Sequence, residues 1–115
     1  MIYHMAHASD WQAAHEAQSA YRGSADDLRD GFIHFSTAQQ IRVSAAKHRA
    51  GQRDLLLISV DPAKLGDALV WEESRDGALF PHLYDSLDPN IAEAAIALPW
   101  DDTLKAHVFP QWMEA

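Results

Sequence analysis

Three of the seven histidines stand in short apolar stretches that predict β-strands. His4, His34 and His82 are each bracketed by two apolar, aromatic or proline neighbours. Because successive side chains of a strand point to opposite faces, each imidazole points away from those neighbours. If the neighbours form the core, the histidines line a polar cleft; otherwise each has a structural role. Imidazole suits a cleft, since its ordinary pKa is about 6.5 and either ring nitrogen can donate or accept.

Two hydroxyl residues, Ser36 and Thr37, follow the stretch that contains His34. Ser36 and Gln39 have the spacing of a helix capping box, so we expect Ser36 to be an N-cap. A helix N-terminus offers free backbone N–H groups and a positive dipole end, which bind phosphate or carboxylate. Thr37 would then meet a phosphate-bearing ligand such as a dinucleotide. The usual nucleotide loops, GxGxxG and GxxxxGK[ST], are absent from the sequence.

Glu72 is the carboxylate that could join this cleft. It ends a predicted strand beside Glu73, and strand alternation allows only one of the two acids to join a given site. A glutamate near a ribose could orient a hydroxyl or stabilise an oxocarbenium-like transition state. The alternative is that both carboxylates are solvated.

A metal site is a competing interpretation of the histidines, because three imidazoles and Glu72 could ligate zinc. The sequence has no HExxH motif, no close HxH pair and no cysteine, so we predict no metal. It also has no Ser-His-Asp order or nucleophile elbow, so an acyl-transfer hydrolase gains little support.

The elements that position these residues follow from the apolar pattern and its boundaries. Capping boxes beginning at Ser9, Ser24 and Ser36 predict three helices, the last two followed by Gly31 and Gly51 as stops. Strands are predicted at about 2–5, 32–35, 54–60, 68–73, 80–84 and 91–98. The third is a continuous apolar run and should be central. Pro81 indicates an edge position or a bulge for the fifth, because proline cannot donate to a ladder.

This order of elements predicts an α+β fold. We expect a largely antiparallel sheet, with the helices mainly in the N-terminal half. The 115 residues predict a single domain, 1–115, with a core at about 2–100 and a C-terminal tail at 101–115.

The composition restricts the partners and the location. The net charge is −8, from 17 acidic and 9 basic residues without a basic stripe, which argues against nucleic acid. The sequence begins without a signal peptide and contains no apolar run long enough to span a membrane. We expect a cytoplasmic monomer that acts on a small-molecule ligand.

Several blocks together resemble a known family. They are IYH at the start, Tyr21, LRDGFIHFSTAQQI, LLLISVD, a strand with Glu72, and LFPHLYDSL. From Ile2 to about Trp100 the sequence resembles the domain of unknown function family 952, whose members are small bacterial proteins. The fold of that family is similar to that of the ADP-ribosyltransferases, a bent α+β split sheet that binds NAD.

The resemblance implies roles for the candidate residues. His4 on the first strand and Glu72 on a later strand would be catalytic. The ligand-binding residues would be His34, Ser36, Thr37, His82 and Tyr84. No cofactor is certain, and NAD is a candidate substrate. The sequence departs from the transferase pattern, since Ala38 replaces the second serine of Ser-Thr-Ser and no Glu-x-Glu or Gln-x-Glu pair is present.

Three functions stay open. The first is weak or degenerate ADP-ribosyl transfer or glycohydrolase chemistry on NAD or an ADP-ribose-like nucleotide. The second is a non-catalytic module for a small ligand or a protein. The third is a histidine-based, metal-dependent hydrolase.

Overall fold

The computed structural model describes residues 1–74 and 77–113. Within them the α-helices are α1 (Ala8–Glu16), α2 (Ala25–Asp30) and α3 (Ile41–His48). The strands are β1 (Ile2–His7), β2 (Ile33–His34), β3 (Leu55–Val60), β4 (Leu69–Glu73), β5 (Leu79–Leu83), β6 (Ala94–Leu98), β7 (Trp100–Asp101) and β8 (Ala106–His107). All strand pairs are antiparallel, which confirms the predicted mixed fold with antiparallel sheets.

The first three-stranded sheet has the order β1-β3-β6 and carries most of the core. The predicted central position of β3 is confirmed, and Leu57, Ile58 and Val60 have no exposed surface. Their side chains alternate between two buried clusters, one beneath α1 and the other beneath α3. Each face of β3 is therefore covered by a helix, as its continuous apolar run predicts.

The second three-stranded sheet has the order β2-β5-β4. The expectation that Pro81 marks an edge strand is wrong, because β5 lies between β2 and β4. The carbonyl of Pro81 accepts a hydrogen bond from the Phe35 N–H at 3.0 Å. The reciprocal hydrogen bond would run from the nitrogen of residue 81 to the carbonyl of Phe35, and proline cannot donate it. Because Phe35 lies one residue beyond the end of β2, the hydrogen bonds within the sheet are not interrupted.

A β-bridge between Tyr3 and Ser36 joins the two sheets. Each of these residues donates its backbone N–H to the carbonyl of the other, both at 2.8 Å. The chain thus leaves the second sheet after His34 and pairs with β1 two residues later. This connection brings His4 on β1 beside His34 on β2.

Two of the three predicted helix caps are wrong. The first helix follows β1 directly, with His7 as its N-cap and no side-chain cap, so Ser9 and Gln12 lie inside the helix. Ser36 does not cap α3, because its backbone is engaged with Tyr3. The helical turn begins one residue later, where the Gln40 side-chain oxygen accepts the Thr37 N–H at 3.0 Å.

The cap at Ser24 is confirmed. The side chain of Asp27, three residues later, accepts the backbone N–H of Ser24 at 2.7 Å and its hydroxyl at 3.0 Å. Gly31 ends this helix with a φ of 85°, as expected of a glycine stop.

The C-terminal part contains a short hairpin, β7–β8, which the sequence did not predict. Trp100 pairs with His107 across it, and the Trp100 and His107 rings meet edge to face. Phe109 packs on the α3 side of the core. None of the helices in the two described ranges is long and apolar enough to cross a membrane.

Candidate functional site

A cleft of about 610 Å³ opens between α2, α3 and the β4–β5 hairpin. Its floor is formed by β1 and by the segment that joins β2 to α3. It contains both signs of charge and several aromatic rings. The lining residues that matter for its chemistry are His4, Arg29, Asp30, Phe32, His34, Ser36, Lys47, Arg49, Glu73, Phe80 and His82.

The structure brings together four of the seven residues that the sequence singled out: His4, His34, Ser36 and His82 all line the cleft. The other three, Thr37, Glu72 and Tyr84, are outside its lining. Glu72 and Tyr84 nevertheless reach its edge through His82, as described below. The acid of the β4 pair that lines the cleft is Glu73, although the register places Glu72 on the sheet face of His82 and Phe80.

His4 is buried, and both of its ring nitrogens have partners. Its Nδ1–H donates to the carbonyl of His34 at 2.7 Å, so the ring is the Nδ1–H tautomer. Its Nε2 accepts from the Tyr21 hydroxyl at 2.7 Å. Burial lowers the pKa of His4, although the negative charge of Asp27 acts to raise it. Burial also raises the pKa of Tyr21 far above its ordinary value. His4 is therefore neutral and holds the backbone of β2 in place.

Asp27 lies behind the histidines and is 2% exposed. One oxygen accepts from the backbone and hydroxyl of Ser24, and the other accepts from the backbone and ring of His34. Burial alone would raise the pKa of Asp27. The side-chain hydrogen bond from His34, the neighbouring His4 and the backbone donors have the opposite effect and are together larger. The pKa of Asp27 therefore lies well below its ordinary value. The site thus contains a buried carboxylate that stays ionised.

His34 is held between two carboxylates. Its Nδ1 contacts Asp27 and its Nε2 lies 3.1 Å from Asp30 Oδ2. Both nitrogens can donate at once only when the ring is protonated. The side chain of His34 is 40% exposed. Both of its ring nitrogens nevertheless contact carboxylates, those of Asp27 and Asp30.

His82 is part of a second polar chain. Its Nδ1 lies 2.9 Å from Glu72 Oε1, and the same oxygen accepts from the Tyr84 hydroxyl at 2.6 Å. The hydrogen bond from Tyr84, followed by that from His82, lowers the pKa of Glu72 below its ordinary value. Conversely, the bond to Glu72 raises the pKa of Tyr84.

The Phe32 ring contacts both His34, which pairs with Asp27 and Asp30, and His82, which pairs with Glu72. It stacks on His82 with a centroid distance of 4.0 Å and an interplanar angle of 25°. It also contacts His34 at 4.5 Å and Tyr84 at 5.2 Å. The rings of His34 and His82 are 5.6 Å apart and nearly perpendicular. Phe32 therefore fixes the planes of both histidines at the cleft.

Arg49 carries positive charge to the cleft although it is 9% exposed. It donates to Asp26, to the His48 carbonyl and to the Ser24 hydroxyl, each at 3.2 Å. Its buried Nε has no hydrogen-bond partner among the described residues. Arg29, Lys47 and Arg49 line the wall between α2 and α3, where Asp26 and Asp30 also lie and pair with the two arginines.

Asp27, Tyr21 and Arg49 were not identified as site residues from the sequence. A signal for Asp27 was present in the Gly23-Ser24 pair ahead of it. Gly23 has a φ of 99°, and a Cβ there would lie 2.5 Å from the Cβ of Asp27. The absence of a side chain at Gly23 thus lets the backbone pack directly on the buried Asp27.

A metal centre has no geometric support in the described part of the chain. No group of three or more His, Asp or Glu side chains in residues 1–74 and 77–113 is arranged to hold a metal ion. Both ring nitrogens of His4 and of His34, and Nδ1 of His82, instead contact carboxylates, a hydroxyl or a carbonyl.

Comparisons with known proteins give a family and a fold. A family model described as "Protein of unknown function (DUF952)" matches residues 5–95. The crystal structure of protein CC0527 from Caulobacter crescentus is 39% identical, covers 97% of this chain and 96% of that chain, and has a TM-score of 0.89. The solution NMR structure of CC0527 is 43% identical over 89% and 87% of the two chains, with a TM-score of 0.77. No curated protein matches the sequence.

Proposed function

This chain belongs to the DUF952 family, and we propose that its cleft binds NAD or an ADP-ribose-like nucleotide. The observation that carries the proposal is the convergence of His34 and Ser36 with His82, from two separate parts of the chain, on one cleft. The volume of about 610 Å³ falls in the range of roughly 300–1,000 Å³ that is usual for small-molecule sites.

The two sides of the cleft suit the two parts of a nucleotide. Arg29 and Lys47 on the α2–α3 side would contact the phosphates, with Arg29 exchanging its exposed ion pairs to Asp26 and Asp30 for the ligand. Phe32 and Phe80 on the opposite side supply aromatic surface on which a base or a nicotinamide ring can stack. Asp30 and Glu73 add acceptors for ribose hydroxyls.

We include in the proposal a relationship to the ADP-ribosyltransferase fold and weak or degenerate ADP-ribosyl transfer or glycohydrolase chemistry. Two antiparallel sheets joined at Tyr3 and Ser36 support the fold relationship. In this chemistry Glu73, which lines the cleft, would face the ribosyl cation, while Glu72 would act through His82. His4 would hold the β2 backbone, because its nitrogens are occupied by Tyr21 and His34.

The test is a thermal-shift and NMR titration with NAD, ADP-ribose and nicotinamide. A ligand that binds the native state raises its apparent stability. We expect NAD or ADP-ribose to raise the Tm and to shift the amide signals of residues 32–36, 80 and 82. Absence of any response to all three compounds at millimolar concentration would contradict the proposal.

A pair of variants on α3 tests the location. Ser44 lines the cleft, whereas Ala46 is exposed on the same helix and outside the lining. Ser44→Trp should fill the cleft and abolish the nucleotide response, and Ala46→Trp should leave it unchanged. Equal binding by the two variants would place the nucleotide elsewhere. Binding without release of nicotinamide would identify a non-catalytic module.

A further inference from the structure

The hydrogen-bonded chain Tyr84–Glu72–His82 ends at the cleft. Tyr84 and Glu72 lie outside the lining, and His82, 8% exposed, is the member that reaches it. Strand pairing explains the arrangement. Val70 is opposite His82, so Glu72 on β4 and Tyr84 after β5 share the sheet face of His82.

We propose that His82 is the general base of this cleft and that Glu72 and Tyr84 are its positioning residues. The inference deepens the proposed function and rests on it, because the proton that His82 would take belongs to the acceptor of the ADP-ribosyl group.

The hydrogen bonds determine which nitrogen is free. An ionised carboxylate only accepts, so Glu72 requires a hydrogen on Nδ1 of His82. In the neutral ring the lone pair is then on Nε2, at the opposite edge. Within the described residues no group is hydrogen-bonded to that nitrogen. Phe32 stacks on the face of the His82 ring and not against its edge.

His4 and His34 do not offer such a lone pair. His4 uses its acceptor nitrogen for the Tyr21 hydroxyl. His34 has a carboxylate at each nitrogen, which suits a ring that donates twice. His82 is thus the one of the three that combines a fixed tautomer, a carboxylate behind it and an unused acceptor.

In the proposed reaction, the O–H bond of water or of an acceptor hydroxyl breaks, and its proton moves to Nε2 of His82. The oxygen forms a bond with the anomeric carbon of the ribose, and the bond from that carbon to the nicotinamide nitrogen breaks. Its electron pair leaves with the nicotinamide, which becomes neutral. The imidazolium formed at His82 is stabilised by Glu72 and later releases its proton to solvent.

The first experiment uses the ligand-free protein, so it does not depend on nucleotide binding. Nitrogen-15 NMR of the imidazoles reports the tautomer, and acylation by diethyl pyrocarbonate with peptide mapping reports which imidazole has an available lone pair. We expect His82 to be the Nδ1–H tautomer and to be acylated faster than His4 and His34. An Nε2–H tautomer, or acylation of His82 no faster than that of His4, would overturn the assignment.

The second experiment measures nicotinamide release from NAD. Removal of the base in His82→Gln should lower kcat about 10²-fold or more with little change in KM. Glu72→Gln and Tyr84→Phe should lower kcat by smaller factors, and Glu93→Gln, whose carboxylate pairs with Lys64 away from the cleft, should not. Unchanged kcat in His82→Gln, with NAD still bound, would overturn the base while leaving the nucleotide site intact. If His82→Gln fails to fold, exposed Tyr84→Phe decides, because loss of the Tyr84 hydrogen bond to Glu72 should change the acylation rate of His82, and an unchanged rate contradicts the chain.

Discussion

Oδ1 of Asp27 accepts hydrogen bonds from both the backbone N–H and the ring Nδ1 of His34. One buried carboxylate oxygen therefore fixes a strand and the side chain that the strand carries into the cleft. The second oxygen of Asp27 caps α2 through Ser24. Helix and strand are held against each other at this single residue.

Asp27→Asn should destabilise the fold, because an amide replaces one acceptor oxygen with a donor that faces existing donors. We expect a loss of about 2–4 kcal/mol in the free energy of unfolding, measured by urea denaturation. Asp26→Asn on the same helix is the control. Asp26 is half-exposed and paired with arginines, so its change should stay within about 1 kcal/mol. Similar losses for the two variants would contradict the role of Asp27.

Acidification should lower stability in two separate windows. The folded-state pKa of His4 lies below its unfolded value, so the unfolded chain binds more protons and stability falls as pH drops below about 6.5. The pKa of Asp27 is also lowered, so its contribution is lost below the unfolded value of about 4. The check is the free energy of unfolding in urea between pH 8 and pH 3. His4→Gln should flatten the upper window and leave the lower one; no flattening would contradict the assignment.

Tyr21→Phe should leave the buried Nε2 of His4 without its donor. A buried acceptor that loses its partner costs about 1–3 kcal/mol, so the free energy of unfolding should fall by that amount. Tyr84→Phe removes a hydroxyl from an exposed site and should change stability by no more than about 0.5 kcal/mol. Equal losses of unfolding free energy in Tyr21→Phe and Tyr84→Phe would mean that burial of the hydroxyl does not determine the loss of stability.

Gly23→Ala should be more disruptive than another glycine substitution at positive φ. A Cβ at Gly23 would lie 2.5 Å from the Cβ of Asp27 and 2.6 Å from its Oδ2. Gly66 has a φ of 62°, and a methyl group there would meet no atom within 4 Å. Gly66→Ala therefore introduces only backbone strain of about 1–2 kcal/mol. We expect thermal denaturation to show a clearly larger loss of Tm for Gly23→Ala.

Strands β1 to β6 were predictable because each is a short apolar run between turn residues, whereas the two-residue strands β7 and β8 were not. Leu55–Val60 is such a run, and its central place follows from the lack of a polar face. Helix starts were less predictable, because Ser36 fits a cap in sequence but pairs its backbone with Tyr3 in space. A backbone pairing partner distant along the chain cannot be inferred from the local pattern of hydroxyl and amide residues.

Part of the candidate site was predictable from the alternation of side chains along strands. Strand alternation places His34 and His82 on one sheet face once their strands pair. It does not reveal that Glu72 turns to His82, since that needs the register of β4 against β5. Nor does it reveal that His4 is occupied by Tyr21, which comes from a loop bridged to Leu87.

The bridge between Tyr3 and Ser36 also limits how the length of this chain can change. Residues 33 and 34 pair with β5, and residue 36 pairs with β1, with a single residue between. Deleting or inserting one residue there would reverse the alternation on one side of the junction and exchange a core position for a cleft position. Family members should therefore accept substitutions in this segment far more readily than insertions or deletions, which an alignment of their sequences can check.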